Sequence, residues 1–138
     1  MTHVLSKADY EALAAFRHAL RRFLDFSGEA AKTAGLTPQQ HQALLAIKGF
    51  PGRDRVTIGE LAEQLVQRHH STVGLVDRLE ALGLVRREAD PADRRRAMVA
   101  LTDRAEEALA GLSAIHRAEL RRLSPSLATL LERLGTED

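Results

Sequence analysis

The sequence contains no cysteine, and only 4% of its 138 residues are aromatic. The absence of cysteine excludes disulfides, thiolate zinc sites and cysteine-based redox sensing. No apolar run is long enough to span a membrane, and the chain does not open with a signal peptide, so we expect a cytoplasmic protein with no membrane partner. Because 44% of the residues are hydrophobic, the chain can bury one aliphatic core.

The sequence also lacks the common motifs of enzymes and metal sites. It has no G-x-S-x-G elbow, no Walker loop and no H-E-x-x-H helix, so we expect no catalytic residues and no cofactor. His69 and His70 are adjacent, and side chains about 100° apart on a helix cannot chelate as an i,i+4 pair would. His3, His18 and His116 are scattered, so we expect no metal site.

The net charge of +1 predicts no partner, but the charge is unevenly distributed. Of the 20 basic residues 17 are arginines, and seven of these fall between Arg68 and Arg96. Arginine makes forked contacts with phosphate and guanine, which favours a nucleic-acid partner. A GC-rich genome that encodes arginine in preference to lysine would explain the same usage.

Helical segments are predicted at both ends of the chain. After a loose arm at residues 1–6, Ser6 is expected to cap a helix that ends near Gly35, and Thr37-Pro38 begins a second helix that ends at Gly49. Residues 50–55 read as a turn-rich connector. Thr102 is expected to cap a long helix, and Ser124-Pro125 to begin a separate last helix.

The central stretch reads as helix, turn, helix and hairpin. Thr57 and Glu60 form a capping box for a short third helix, and a fourth helix follows from Arg68 to Leu82. Gly83 is expected to stop the fourth helix in a left-handed conformation. The inward face predicted for the fourth helix comprises Thr72, Leu75, Val76, Leu79 and Leu82. The outward face predicted for this helix comprises His70, Val73, Gly74 and Asp77. The strands Leu84–Glu88 and Ala97–Leu101 then flank a turn at Asp90–Asp93.

A helix-turn-helix places the start of its second helix at base edges in the major groove. Backbone N–H groups near Thr57 could bind a phosphate, and arginines at a narrow hairpin tip suit a minor groove. The candidate DNA-binding residues are Thr57, Arg68, His69, His70, Ser71, Val73, Gly74, Asp93, Arg94 and Arg95. The alternative is a helical interaction protein that does not bind DNA and whose arginine run is a solvated surface.

Several motifs resemble the winged helix-turn-helix of the MarR family (multiple antibiotic resistance regulators). They are LVDRLE (Leu75–Glu80), GLV (Gly83–Val85), DPADRR (Asp90–Arg95), VALT (Val99–Thr102) and, upstream, TPQQHQALLAI. The resemblance implies a mainly α fold with a small β-hairpin wing. It also implies a homodimeric repressor or activator on a pseudo-palindromic DNA operator, in which Asp93 steadies Arg95 in the minor groove.

The resemblance divides the chain into three regions of one intertwined domain. Residues 1–35 and 103–138 correspond to the dimerisation frame, and residues 36–102 to the DNA-binding region. Family members often respond to small aromatic acids or phenols bound between these parts. The equivalent crevice would lie near Phe16, His41, Leu44 and the start of the long helix, with His41 and Arg17 as candidates to meet a carboxylate. A packing role for His41 is the alternative.

Overall fold

The structure is a computed structural model that describes residues 4–135, and half of the predicted arm therefore lies outside the described residues. Within that range the chain forms five α-helices and one three-stranded sheet. The elements are α1 (Lys7–Thr33), α2 (Pro38–Lys48), β1 (Arg55–Val56), α3 (Ile58–Leu65), α4 (His69–Ala81), β2 (Val85–Ala89), β3 (Ala97–Leu101) and α5 (Asp103–Gly135). The predicted mainly α architecture with a β-hairpin wing is confirmed.

Capping boxes set the first residues of α1, α2 and α3. Ser6, Thr37 and Thr57 are the caps, and each hydroxyl accepts a hydrogen bond from the backbone N–H three residues later. The side chain of that later residue accepts from the N–H of the cap, so two otherwise unpaired donors are satisfied at each helix start. These three helix starts agree with the sequence prediction because the motif is entirely local.

The sheet has a strand that the sequence did not predict. Arg55 is the last residue of the predicted connector, and Val56 follows it. These two residues pair antiparallel with Ala100 and Val99 of β3, and the strand order is β1-β3-β2. Val56 is fully buried. A two-residue strand is too short to show the alternation that marks strands in a sequence, so only its pairing with β3 reveals it.

The predicted break at Ser124-Pro125 is wrong, because α5 continues through Pro125 to Gly135. Proline costs a helix interior one backbone hydrogen bond, but it need not end the helix when the surrounding pattern continues. Leu123, Leu127 and Leu130 are half-buried at helical spacing on both sides of the proline. The C-terminal part of the chain is therefore one long helix within the described residues, and it packs along α1.

The core is formed mainly by α2, α3, α4 and the sheet, with further residues from α1 and α5. Its largest fully buried side chains are Leu44, Ile47, Leu61, Leu75, Leu79, Val56, Val76, Val85, Val99 and Thr72. The inward face predicted for α4 is confirmed except at Leu82, which is 45% exposed. Leu82 follows the last helical residue, where the chain turns at Gly83 (φ +74°) towards β2, so the helical spacing no longer applies to it.

No helix among residues 4–135 has both the length and the apolar character needed to cross a lipid bilayer.

Candidate nucleic-acid interface

The first turn of α4 presents polar side chains and unpaired backbone donors. His69, His70 and Ser71 are all exposed. Arg68 is the N-cap, and no side chain caps the helix there. The first N–H groups of a helix have no partner inside the helix and carry the positive end of its dipole, so this end can receive an anion. The first turn also contains no acidic residue that would repel one.

A buried threonine attaches this helix start to the preceding turn. Thr72 is fully buried, and its Oγ1 lies 3.1 Å from Gln67 Oε1 and 3.0 Å from the carbonyl oxygen of Arg68. A buried hydroxyl needs such partners, because leaving it unpaired costs about 1–3 kcal/mol. Thr72 therefore fixes the position of the turn and of Arg68. The inward position of Thr72 agrees with the prediction, whereas its hydrogen bond to Gln67 was not predicted from the sequence.

Val73 and Gly74 follow on the outer side of α4 and are both partly exposed. A Cβ built on Gly74 would lie 3.5 Å from Arg78 Nη1, which is an ordinary contact with the end of a flexible side chain. The packing of this chain therefore leaves room for an alanine at position 74. Because glycine costs about 1 kcal/mol relative to alanine in a helix, its presence here needs a reason outside the monomer.

At the start of α3, two of the backbone donors are used by the helix's own residues. The Thr57 N–H donates to Glu60 Oε1 at 2.9 Å, and the Glu60 N–H donates to Thr57 Oγ1 at 3.1 Å. The Glu60 carboxylate also accepts two hydrogen bonds from the guanidinium of Arg53. The Thr57 N–H is therefore occupied by Glu60, and phosphate binding at Thr57 stays a prediction.

The wing turn is shaped by two aspartates and exposes its arginines. Asp90 Oδ1 accepts from the N–H of Ala92 at 2.9 Å, and Asp93 Oδ1 accepts from the N–H of Arg95 at 3.0 Å. The Nε of Arg95 lies 3.5 Å from the same Asp93 oxygen, so the predicted Asp93–Arg95 contact is present. Arg94 is exposed and the Arg95 side chain is 94% exposed. The wing therefore presents cations that the chain does not bury.

An ion-pair cluster joins the wing strand β2 to α4. Arg87 Nη2 lies 2.6 Å from Asp77 Oδ1, and its Nη1 lies 2.7 Å from Glu80 Oε1. The hydrogen bond with Asp77 is the main cause of a raised pKa for Arg87. This cluster could not be predicted from the sequence, because no spacing rule relates a strand residue to a preceding helix.

The four candidate effector residues are not brought together. Phe16 is half-buried and Arg17 is exposed on α1, whereas Leu44 is fully buried in the core and offers no surface to a ligand. His41 is 4% exposed and its ring centroid lies 4.9 Å from that of His116. The cavity beside this pair is lined by the middle of α5, not by its start.

His41 and His116 lie side by side, but they are not part of a metal site in the portion of the chain that the structure describes. No group of three or more histidine, cysteine, aspartate or glutamate side chains within residues 4–135 is arranged to hold a metal ion. His3, one of the scattered histidines, lies outside that range.

Comparison with known sequences gives the same family that the motifs predicted. A sequence model of the MarR family matches residues 34–96. The transcriptional regulator HosA from Escherichia coli O111:H- is 41% identical over 75 residues, which are 54% of this chain and 53% of HosA. YcgE, an uncharacterized HTH-type transcriptional regulator from Bacillus subtilis, is 36% identical over 95 residues, 68% of this chain and 59% of YcgE. The chain thus spans just over half the length of the curated relatives it matches.

Solved structures extend the likeness to most of the chain. AbsC, a MarR family transcriptional regulator from Streptomyces coelicolor, has a TM-score of 0.71 and 26% identity, over 88% of this chain and 81% of AbsC. A MarR family protein from Bacillus stearothermophilus has a TM-score of 0.78 and 21% identity, over 95% and 92% of the two chains, and shows the fold alone. The resemblance to the MarR family that was predicted from the sequence is confirmed.

Proposed function

We propose that this chain is a sequence-specific DNA-binding transcriptional regulator, a ligand-responsive repressor that binds a pseudo-palindromic operator as a homodimer. The observation that carries the proposal is the uncapped, acid-free start of α4 combined with a wing whose arginines are exposed. A mutant of MepR from Staphylococcus aureus, which shares this fold at a TM-score of 0.67 and 19% identity, was solved bound to an oligodeoxyribonucleotide. The alternative is a helical interaction protein without DNA binding.

The proposed interface has two parts. The start of α4 lies in the major groove, where its side chains reach base edges and its backbone donors reach phosphate. Gly74 lets the backbone approach the duplex closely, which explains a glycine that the packing of the chain does not require. The wing places Arg95, steadied by Asp93, in the minor groove. The proposed contact residues are Arg68, His69, His70, Ser71, Val73, Gly74, Asp93, Arg94 and Arg95.

Replacement of Arg95 by alanine tests the DNA-binding proposal. Because its side chain is 94% exposed, we expect thermal stability to be unchanged. If each wing of a dimer neutralises one phosphate fewer, the slope of log K against log salt falls by about 0.9 per wing, or about 1.8 in total. The measurement is fluorescence anisotropy, over a salt series, with a duplex selected by the wild-type protein from a random pool.

Arg96→Ala is the matched control, because it removes the same charge from the same turn. The Arg96 side chain is 55% exposed, against 94% for Arg95, so its guanidinium is less available to DNA. We expect Arg96→Ala to weaken binding less than Arg95→Ala does. Equal losses would show that the wing contributes only general charge. Failure to select any duplex, or binding that does not depend on salt, would favour the interaction-protein alternative.

The dimerisation proposal rests on apolar surface along the two long helices. Large exposed hydrophobic side chains recur on α1 and α5, namely Tyr10, Leu13, Leu20, Leu24, Ile115, Leu120 and Leu131. An apolar surface of this kind on a monomer marks an interaction site. We assign it to a second copy, so that residues 1–35 and 103–138 form the frame and residues 36–102 the DNA-binding region.

Sedimentation equilibrium tests the dimer. Leu24→Glu places a charge in the proposed interface and should give a monomer, since burying an unpaired carboxylate is costly. Leu82→Glu is the control, because Leu82 is similarly exposed (45% against 51% for Leu24) but lies at the end of α4. A monomeric wild-type protein, or a Leu82→Glu variant that dissociates while Leu24→Glu does not, would contradict the assignment.

The effector proposal is assigned to the cavity beside His41 in place of the predicted crevice. Its volume is about 540 Å³, within the range of small-molecule sites. The cavity is lined by residues of α1, α2 and α5, so a ligand there contacts both the frame and the DNA-binding region. A small aromatic acid or phenol is the proposed effector, and release of the selected duplex on its addition is the expected response.

A further inference from the structure

A pair of histidines connects three helices at one end of this cavity. His41 of α2 contacts His116 of α5, with ring centroids 4.9 Å apart. His116 Nδ1 lies 2.6 Å from the carbonyl oxygen of Leu112, which can only accept, so this nitrogen carries a hydrogen. His116 Nε2 lies 2.8 Å from the hydroxyl oxygen of Ser27 on α1. Both nitrogens of His116 are thus engaged by the chain itself.

His41 is left with an unpaired nitrogen. The residue is 4% exposed, and its Nδ1 is buried without any hydrogen-bond partner. Buried polar atoms are nearly always paired, and one that is not calls for an explanation such as a missing ligand or a functional role. Desolvation, followed in size by the charge of His116, lowers the pKa of His41. Burial therefore favours the neutral form of His41.

The rest of the cavity wall is cationic and apolar. Its lining residues are Phe23, His41, Leu45, Ser113, His116, Arg117, Leu120, Arg121 and Ser124. Arg117 and Arg121 make no ion pair within residues 4–135, and no carboxylate lines the cavity there. Its lining accordingly combines an apolar surface with two guanidinium groups that lack a counter-charge. An organic anion with an apolar body supplies what this wall lacks.

An anion in the cavity also changes the charge that the histidine pair can carry. Around the pair, the charged side chains are Arg117 and Arg121 of α5, which line the same cavity. The neighbouring side chains from α1 and α2 are uncharged, namely Phe23, Phe26, Ser27 and Leu45. When the cavity is empty, an added proton on His41 is opposed first by the burial of its ring. A carboxylate next to the pair reverses that balance, since an opposite charge favours the protonated imidazole.

We propose that the cavity binds a weak organic acid as its carboxylate together with one proton, which the His41–His116 pair takes up. This inference rests on the proposed effector function of the same cavity. The proton adds to an imidazole nitrogen, no covalent bond to the ligand forms, and ligand and proton leave together. By linkage, affinity for the carboxylate rises up to about tenfold for each unit by which the pH falls. The regulator would then respond more strongly to organic acids in an acidified cell.

Isothermal titration calorimetry on the full chain tests the proposal, with 2-naphthoate as the probe and neutral 2-naphthamide as its isostere. Titrations at pH 7 in buffers of different ionisation enthalpy give the number of protons taken up. We expect about one proton with naphthoate and none with naphthamide, and an affinity for naphthoate about tenfold higher at pH 6.5 than at pH 7.5. His41→Phe keeps a buried ring but no titrating nitrogen, so it should lose both the uptake and the pH dependence.

His18→Gln is the control for His41→Phe, because His18 is an exposed histidine of α1 that does not line this cavity. It should behave as the wild type. Arg117→Gln should weaken naphthoate and leave naphthamide unchanged, which tests the anion site even if His41→Phe does not fold. Naphthoate binding without proton uptake in the wild type would overturn this inference and leave the effector cavity standing. Absence of naphthoate binding would overturn both, while neither result depends on DNA binding.

Discussion

Glu60 joins the connector before α3 to the start of that helix. Its carboxylate accepts from both terminal nitrogens of Arg53 and from the N–H of Thr57. The hydrogen bonds from Arg53, and after them those with Thr57, lower the pKa of Glu60 from 4.5 to about 2. Arg53 also lies over the ring of Phe50, 4.6 Å from its centroid. One carboxylate therefore holds the helix cap and the connector together.

The pKa shift sets the magnitude of this contribution. A fall from 4.5 to about 2 corresponds to at most ~3.4 kcal/mol of stability at neutral pH. The side chains of Arg53 and Glu60 are 37% and 24% exposed, so solvent screens the pair and leaves about 1 kcal/mol. Because the folded-state pKa is depressed, the contribution is complete above pH 4.5 and is lost as the pH falls towards 2.

Urea unfolding of Glu60→Gln between pH 7 and pH 2.5 checks this reasoning. The glutamine keeps an acceptor for the Thr57 N–H but loses the charge that binds Arg53. We expect the variant to be about 1 kcal/mol less stable than the wild type at pH 7, and the difference to shrink on acidification. Glu63 lies in the same helix, and its side chain makes no hydrogen bond or ion pair with the described residues. Glu63→Gln should therefore be as stable as the wild type at each pH. A gap that does not change with pH would refute the electrostatic origin.

Two left-handed residues give predictions of opposite sign. Val66 ends α3 with φ +51° and is 93% exposed. Val66→Gly therefore relieves about 1–2 kcal/mol of backbone strain and loses little packing. Against this, the glycine raises the entropy of the unfolded chain, which costs about 0.4–1 kcal/mol of stability. We expect a net gain of about 0.5–1 kcal/mol in thermal unfolding, and a loss would contradict the strain argument. Gly83→Ala places a Cβ 3.9 Å from Arg104 Nη1, which is ordinary contact, so its expected loss of about 1 kcal/mol reflects φ +74° alone.

Local features of the fold could be predicted from the sequence. The three capping boxes, the stop at Gly83 and the turn at Asp90–Asp93 each depend on residues a few positions apart, and the structure contains all of them. The left-handed Val66 was not predictable in the same way. A β-branched residue is a poor choice for that conformation, so nothing in its type indicates it. Only the requirement to turn the chain between α3 and α4 places it there.

Long-range features could not be predicted. The β1–β3 pair joins residues more than forty positions apart, and His41 and His116 are separated by seventy-five. Periodicity describes which face of one element is apolar, but it does not say which residues of two elements meet. The four residues predicted for the effector crevice are not brought together for this reason. His41 does line a cavity, but its neighbours there come from the middle of α5 and not from its start.

The distribution of charge on α4 explains how a chain with a net charge of +1 can suit a polyanion. The two acidic side chains in the body of this helix, Asp77 and Glu80, are both bound by Arg87 of the wing strand. By contrast, Arg68 at the helix start and Arg94 in the wing turn make no ion pair within the described residues. Arg87 therefore offsets part of the negative charge that would repel phosphate, and it also connects the wing strand to α4. Arg68 and Arg94 lie at the two places where the proposed interface needs cations, so local pairing, rather than total charge, determines the surface that DNA would meet.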